Sequence, residues 1–180
     1  MSPEMLAAAL GVPVSRTQPW ADPLSAAMAL WDIDSDARQA AFIAQIGHES
    51  GRLVFVRELW GPTPSQAGYE GRKDLGNTEP GDGKRFMGRG LIQITGRSNY
   101  QQVSDALGID FVSSPELLEQ PSNAALSAAW FWNTHGLNDL ADAGDFATIT
   151  RRINGGMNGY ADRLALLTLA KDALSERSES

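Results

Sequence analysis

The chain contains no cysteine and only two histidines among its 180 residues. The missing thiols exclude disulfide cross-links, thiolate metal sites and a cysteine nucleophile, and leave nothing for a reducing cytoplasm to disturb. Basic residues are also scarce, with 15 Lys and Arg against 22 Asp and Glu and a formal net charge of -7. That balance excludes a general cationic surface for nucleic acid or anionic membrane, while leaving room for a local cationic groove. No apolar run approaches the roughly 20 residues of a membrane span. The opening "MSPEMLAAALGVPV" carries Glu4, lacks a basic n-region and has too short an apolar stretch for a signal peptide. The expectation is therefore a cytoplasmic product without stable membrane association and without a nucleic-acid partner. Metal is not expected either: His48 stands in no HExxH spacing, and "DLGNTEPGDG" fails the acidic spacing of a calcium loop.

What is present suffices for one sizeable core, since 42% of the residues are hydrophobic. Periodicity predicts a short helix over 5–10 ended by Gly11, a second over 24–31, and a third over 37–50 with Asp34 or Ser35 as its N-cap. Residues 61–90 hold many of the glycines and several prolines and have no usable period, which predicts a long functional loop or a small lobe. After it, "LIQIT" alternates like a β-strand, Ser98 is placed to cap a helix bearing Tyr100, Val103 and Leu107, and "SSPELL" sets serine before a proline at a helix start. Further helices are expected over 123–134, 146–153 and 160–174, ahead of a frayed polar tail "SERSES". The fold class is mainly α, with a small irregular or β segment around 85–96, in a single domain over 1–180. "WFW" at 130–132 reads as helix packing, because adjacent helical residues point in different directions.

Chemistry enters with "AFIAQIGHESG" at 41–51. At about 100° per residue, Glu49 falls roughly 20° from Phe42 and 60° from Ile46 around the axis, so it continues the apolar face. Burial and the negative end of a helix dipole both favour a protonated carboxyl, as a general acid requires. The competing reading is a glutamate at a frayed end, or one paired with Arg52 or Arg57. His48 is read as orienting a neighbour or packing locally. Glu58 follows nine residues later, which on a continuous helix is about half a turn to the opposite face. A break at Gly51 and a returning "RLVFVREL" would bring the two carboxylates to one cleft, as an inverting glycosidase needs. Glu70 and Glu79 are rivals of Glu58. In an extended Leu91–Thr95, Gln93 and Thr95 share one face, offering an amide and a hydroxyl to a water and a sugar.

In order, "GHESG", the glutamate at 58, "LGNTEPGDGKRFMGRGLIQITGRSNY" and "RRINGG" resemble glycoside hydrolase family 19, the chitinase-like group related to lysozyme, over about 37–167. The upstream "PLSAAMALWDIDSDARQAAFIAQIGHESG" is similar to the compact bacteriophage endolysins of that family. The resemblance implies a two-lobed lysozyme-like, chitinase-like fold: a helical core with a glycine-rich lobe inserted at about 61–90, and no separate wall-binding module. It implies Glu49 as general acid, Glu58 as general base and Thr95 as a holder of the attacking water. It groups Gln93, Asn99, Asn154, Arg163 and His48 with substrate binding, Arg163 also supporting the glutamates. The implied activity is cofactor-free, inverting hydrolysis of β-1,4 bonds in peptidoglycan by a monomer. The implied setting is a host bacterial cytoplasm, with a holin opening the way to the periplasm and lysis following.

The chain departs from the plant pattern in lacking cysteine and in its loop between the glutamates, so chitin is the alternative substrate. A lytic transglycosylase would use one glutamate and no water, against which stand Glu58 and the Gln93/Thr95 pair. A non-catalytic glycan-binding relative would be expected to have lost an acidic position, and both are present.

Overall fold

A computed structural model describes residues 1–176. The last four residues of the tail read as frayed lie outside them. The axis of the fold is α4 (Asp36–Glu49), whose residues 40–47 are all buried. Small and apolar side chains on every side of that stretch allow neighbours to close around it, and Ser35 caps its start by accepting from the Arg38 amide. Packed on it are α1 (Pro3–Leu10), α9 (Leu137–Asp142) and α11 (Tyr160–Ser175). Outside this set, α2 (Val14–Thr17) folds onto α1, and α3 (Ala21–Leu30) lies on α8 (Pro121–Thr134). Two further helices, α7 (Arg97–Leu107) against α8 and α10 (Phe146–Asn154) against α9, complete the helical body. Phe42 of α4 meets Trp132 of α8 edge to face at 5.4 Å in the centre of the core. Each such large side chain taken fully from water stabilises the fold by about 1.5–3 kcal/mol.

Residues 61–90 contain only short turns: α5 (Pro64–Ala67), a 3-10 turn at Lys73–Leu75, and α6 (Asp82–Arg85). Polar bonds hold this region. The Glu70 carboxylate accepts the Gly81 and Gly83 amides at 2.7 and 2.8 Å, and buried Asp82 pairs with Arg97 of α7 at 2.6 Å. Asn77 bridges the region to α7, donating to the Tyr69 carbonyl and accepting the Arg97 amide, each at 2.9 Å. Glu70, a rival for the base, is thereby committed to loop backbone.

Several expectations are corrected. Leu91–Thr95 is not a strand: Arg89 and Ile94 exchange backbone bonds at 2.9 and 3.0 Å around a tight turn in which Gly90 and Gln93 have φ of 83° and 59°. Ser98 does not cap α7, because Gly96 holds that position and Ser98 lies inside the first turn. "SSPELL" forms a 3-10 turn, Pro115–Glu119. The helices α2 and α9 span too few residues to show a period.

Candidate active site

Glu49 closes α4, and the chain reverses immediately after it. Ser50 ties the end down, its hydroxyl donating to the Ile46 carbonyl at 2.6 Å and accepting the Leu53 amide at 2.8 Å. Gly51, Arg52 and Leu53 then take left-handed φ of 58°, 59° and 66°. For the two non-glycine residues this costs about 1–2 kcal/mol each, offset by burial of Leu53 and by the Arg52 bond to Asp162 at 2.7 Å. The returning segment is clipped to the glycine-rich region: the Gly90 amide donates to the Val56 carbonyl at 2.8 Å and the Glu58 amide to the Gly88 carbonyl at 2.9 Å. Both carboxylates so arrive at one open cleft of about 350 Å³, shared with Phe55, Leu59 and Gln93.

Their surroundings differ. Glu49 does not stand in the purely apolar setting expected from its helix face, nor does it pair with Arg52 or Arg57. Its Oε1 accepts from Arg163 Nη2 at 2.5 Å, and Arg163, fully buried, also donates to Gln45 Oε1 at 2.6 Å and to the Asn158 carbonyl at 3.1 Å. Glu58 is held by three neutral donors: the Gly88 amide to Oε1 at 2.6 Å, and Gln66 Nε2 and the Tyr69 hydroxyl to Oε2 at 3.0 and 3.3 Å. Burial pushes the Tyr69 phenol up, and the nearby Glu58 charge and hydrogen bond add to it. Gln66 is itself fixed, accepting the Gly61 and Thr63 amides in the capping box of α5. Gly88 is required by this approach, since a Cβ there would lie 2.7 Å from Glu58 Oε1.

The cleft extends both ways. Through Gln93 it opens into a groove of about 930 Å³ lined by Thr95, Asn99, Trp130, Phe131, Arg152 and Asn154, among others. Through Glu58 it meets a hollow of about 440 Å³ bearing Trp60, Lys84 and Met87. Asn99 donates to the Thr95 carbonyl at 2.7 Å and Asn154 accepts the Asn158 amide at 3.2 Å, which fixes both amides at the groove wall. Of the residues assigned from sequence, Glu49, Glu58 and Gln93 therefore meet in one chamber, and Thr95, Asn99 and Asn154 line the adjoining groove.

Two assignments are corrected. Arg163 is too deeply buried to touch a substrate and instead positions Glu49. His48 is taken up by the start of α11 and orients a neighbour instead: its Nδ1 lies 2.7 Å from Asp162 Oδ2, and the ring sits where a Cβ on Gly159 would be, 2.2 Å from Cε1. The His48 bond, with help from Arg52, holds the Asp162 carboxyl below the usual aspartate range, against the opposing effect of burial. Sequence reasoning missed Gln66 and Tyr69, whose capping motif and ring gave no hint of Glu58, and it placed Trp130 and Phe131 in packing alone. Of "WFW", only Trp132 belongs wholly to the core.

A mainly helical, lysozyme-like body with paired glutamates in an open cleft is the architecture of a glycoside hydrolase. The chain belongs to glycoside hydrolase family 19: residues 25–154 match the family described as chitinase class I. It is 33% identical over 156 residues to a glycosyl hydrolase family 19 domain-containing protein of Haemophilus influenzae, covering 72% of this chain and 76% of that one. An endochitinase of Arabidopsis thaliana is 35% identical over 118 residues, covering 65% of this chain and 39% of its own length. Among solved structures, chitinase C from Streptomyces griseus superposes with a TM-score of 0.76 at 25% identity, covering 97% of this chain and 76% of that one. The chain thus spans most of its bacterial relatives and about two fifths of the plant one.

Proposed function

We propose that this chain hydrolyses β-1,4 bonds of an N-acetylhexosamine glycan with inversion, Glu49 acting as acid and Glu58 as base. The observation that carries this reading is the unlike setting of two carboxylates in one cleft. Arg163 engages Oε1 of Glu49 and leaves Oε2 without a donor among the described residues, free to carry a proton to the leaving oxygen. Once that proton is given up, the guanidinium stabilises the carboxylate that remains. Glu58, surrounded by donors that fix both oxygens, retains lone pairs to accept a proton from water as that water attacks the opposite face of the sugar. Gln93 shares the chamber and is better placed than Thr95 to hold the water; the Thr95 hydroxyl donates to the Gln93 carbonyl at 3.0 Å and steadies it.

We take peptidoglycan as the natural substrate and host lysis, after release through a holin, as the role; the sequence resemblance to compact phage enzymes supports both. Chitin is the second reading, favoured by the plant and Streptomyces relatives. The test is turnover of purified peptidoglycan and of chitohexaose by Glu49→Gln and Glu58→Gln, with mass spectrometry of the new reducing ends. Each variant should lose about a hundredfold to ten-thousandfold in kcat while calorimetry still detects glycan binding. Near-normal turnover by a folded variant would remove that residue from the mechanism. Cells producing the protein should remain intact until the inner membrane is opened, and lysis without such opening would contradict the assigned role.

A further inference from the structure

The chain carries a formal net charge of -7, yet among the described residues the only acids lining the cleft and its two extensions are Glu49 and Glu58. The other charged lining residues are cations: Arg72 and Arg152 in the groove beyond Gln93, and Arg57 and Lys84 on the other side of Glu58. Two of these are in ion pairs: Arg72 with Asp74, and Arg57 with Glu119 at 3.6 Å, a carboxylate it shares with Arg89 at 3.3 Å. The remaining two are not. Arg152 is exposed, donates to the His135 carbonyl at 2.6 Å and feels the Asp145 charge through space without forming an ion pair with it, and Lys84 is exposed with no ion-pair partner among the described residues. A surplus of surface acid with two cations outside any ion pair in the hollows adjoining the reacting pair is not what a neutral polymer asks for, because hydroxyls and acetamides offer a cation little after its desolvation.

From this we infer that Arg152 and Lys84 bind carboxylates borne by the glycan on either side of the cleaved bond, making this a cleft for an anionic glycan. The inference rests on the glycan-hydrolase reading above and narrows its substrate. In peptidoglycan every second sugar carries a lactyl ether ending in a carboxylate or in a peptide with its own carboxylates, so negative charge recurs along the strand on both sides of any cut. Chitin has none. Arg152 lines the same groove as Asn154, the residue the family resemblance assigns to the sugar, so a substituent on a sugar held there lies within reach of the guanidinium. Lys84 lines the hollow beyond Glu58.

The test is calorimetry on the full chain carrying Glu49→Gln, so that nothing is cleaved, with three ligands of matched length: peptide-bearing glycan, amidase-stripped glycan with free lactyl carboxylates, and neutral chitohexaose. Arg152→Gln and Lys84→Gln should each weaken binding of the anionic ligands by about two- to fivefold, the range of an exposed charge contact, and change chitohexaose binding less. Raising salt from ~50 to ~500 mM should weaken the anionic ligands selectively. Arg16→Gln, which makes the same charge change on α2 away from the cleft, should alter none of the three. A loss confined to the peptide-bearing ligand would assign the contacts to peptide carboxylates, and a loss on both anionic ligands to the lactyl group. Equal losses on all three ligands, or no salt dependence, would overturn the inference. Failure of the hydrolase reading is separate: it would appear as no cleavage of any ligand by the protein with Glu49 intact, whatever the calorimetry gave.

Discussion

Arg163 reaches from α11 to Glu49 at the end of α4, Nη2 to Oε1 at 2.5 Å, from a position with 1% of its side chain exposed. Glu49 is therefore aimed by a second helix through Arg163. Around the same contact Asp162, one residue earlier, binds both His48 and Arg52 and so locks the end of α4 and its reversal to the start of α11.

Arg163→Ala should be costly twice over. It leaves Gln45 and Glu49 without their donor, and breaking a buried charged pair typically costs about 3–5 kcal/mol. In a chain of this size that lowers Tm by about 10 °C. Arg163→Lys keeps the charge but cannot serve Gln45, Glu49 and the Asn158 carbonyl at once. It should recover most of the stability and little of kcat. Differential scanning calorimetry together with steady-state kinetics checks the separation.

Gln66 and Tyr69 are expected to act on Glu58 alone. Gln66→Leu removes a donor from Glu58 and an acceptor from the Gly61 and Thr63 amides, so kcat should fall about tenfold to a hundredfold with a smaller change in KM. Tyr69→Phe, losing the longer bond, should do less. Gln66→Glu keeps the backbone acceptor but sets a second carboxylate against Glu58, and should move the acidic limb of the kcat profile. A profile of unchanged shape would show that Gln66 only orders the loop.

Gly88→Ala places a methyl group 2.7 Å from Glu58 Oε1 and 2.8 Å from Gln93 Oε1. Both side chains must retreat from the chamber. Activity should fall at least as far as in Gln66→Leu, while circular dichroism stays that of the parent chain because the helical body is not touched.

Asp82 supplies a pH test of the glycine-rich region. Its bond to Arg97 holds its carboxyl below the usual aspartate range, outweighing the opposite effect of burial, and the Glu79 amide helps. A carboxyl depressed by folding adds stability above its unfolded value, and that stability is lost as the pH falls through the folded value. The window lies below about pH 4, the ordinary aspartate value. Asp82→Asn should lower Tm at pH 6, and the difference from the parent should shrink between about pH 4 and pH 2. A constant difference across that range would remove the ionised pair from the explanation.

The helices with several turns were legible because their apolar periods match what they bury: α4 was placed to within one residue at each end, and Gly11 stops α1 as a left-handed cap. The place of Glu49 at the end of α4 was legible from the same period, but its guanidinium partner was not. Residues 91–95 misled because β-branched alternation describes burial, not backbone: Ile92 and Ile94 are buried and Gln93 and Thr95 half-exposed, as a strand predicts, but around a turn. The partners of the glutamates were hidden for a different reason. Gln66 sits in a local capping motif whose second use, the bond to Glu58, exists only after the chain has closed on itself. The expected role of Arg163 in supporting the glutamates holds for Glu49, through a contact spanning 114 positions.

The central claim is that a water activated by Glu58 attacks opposite a bond protonated by Glu49. Proton NMR of the reducing ends released in the first seconds of cleavage, before mutarotation, reads this directly. The account predicts newly formed α anomer from a β-linked glycan, with the signal lost in Glu58→Gln. Newly formed β anomer, or products that carry 1,6-anhydro ends and no free reducing end, would contradict it.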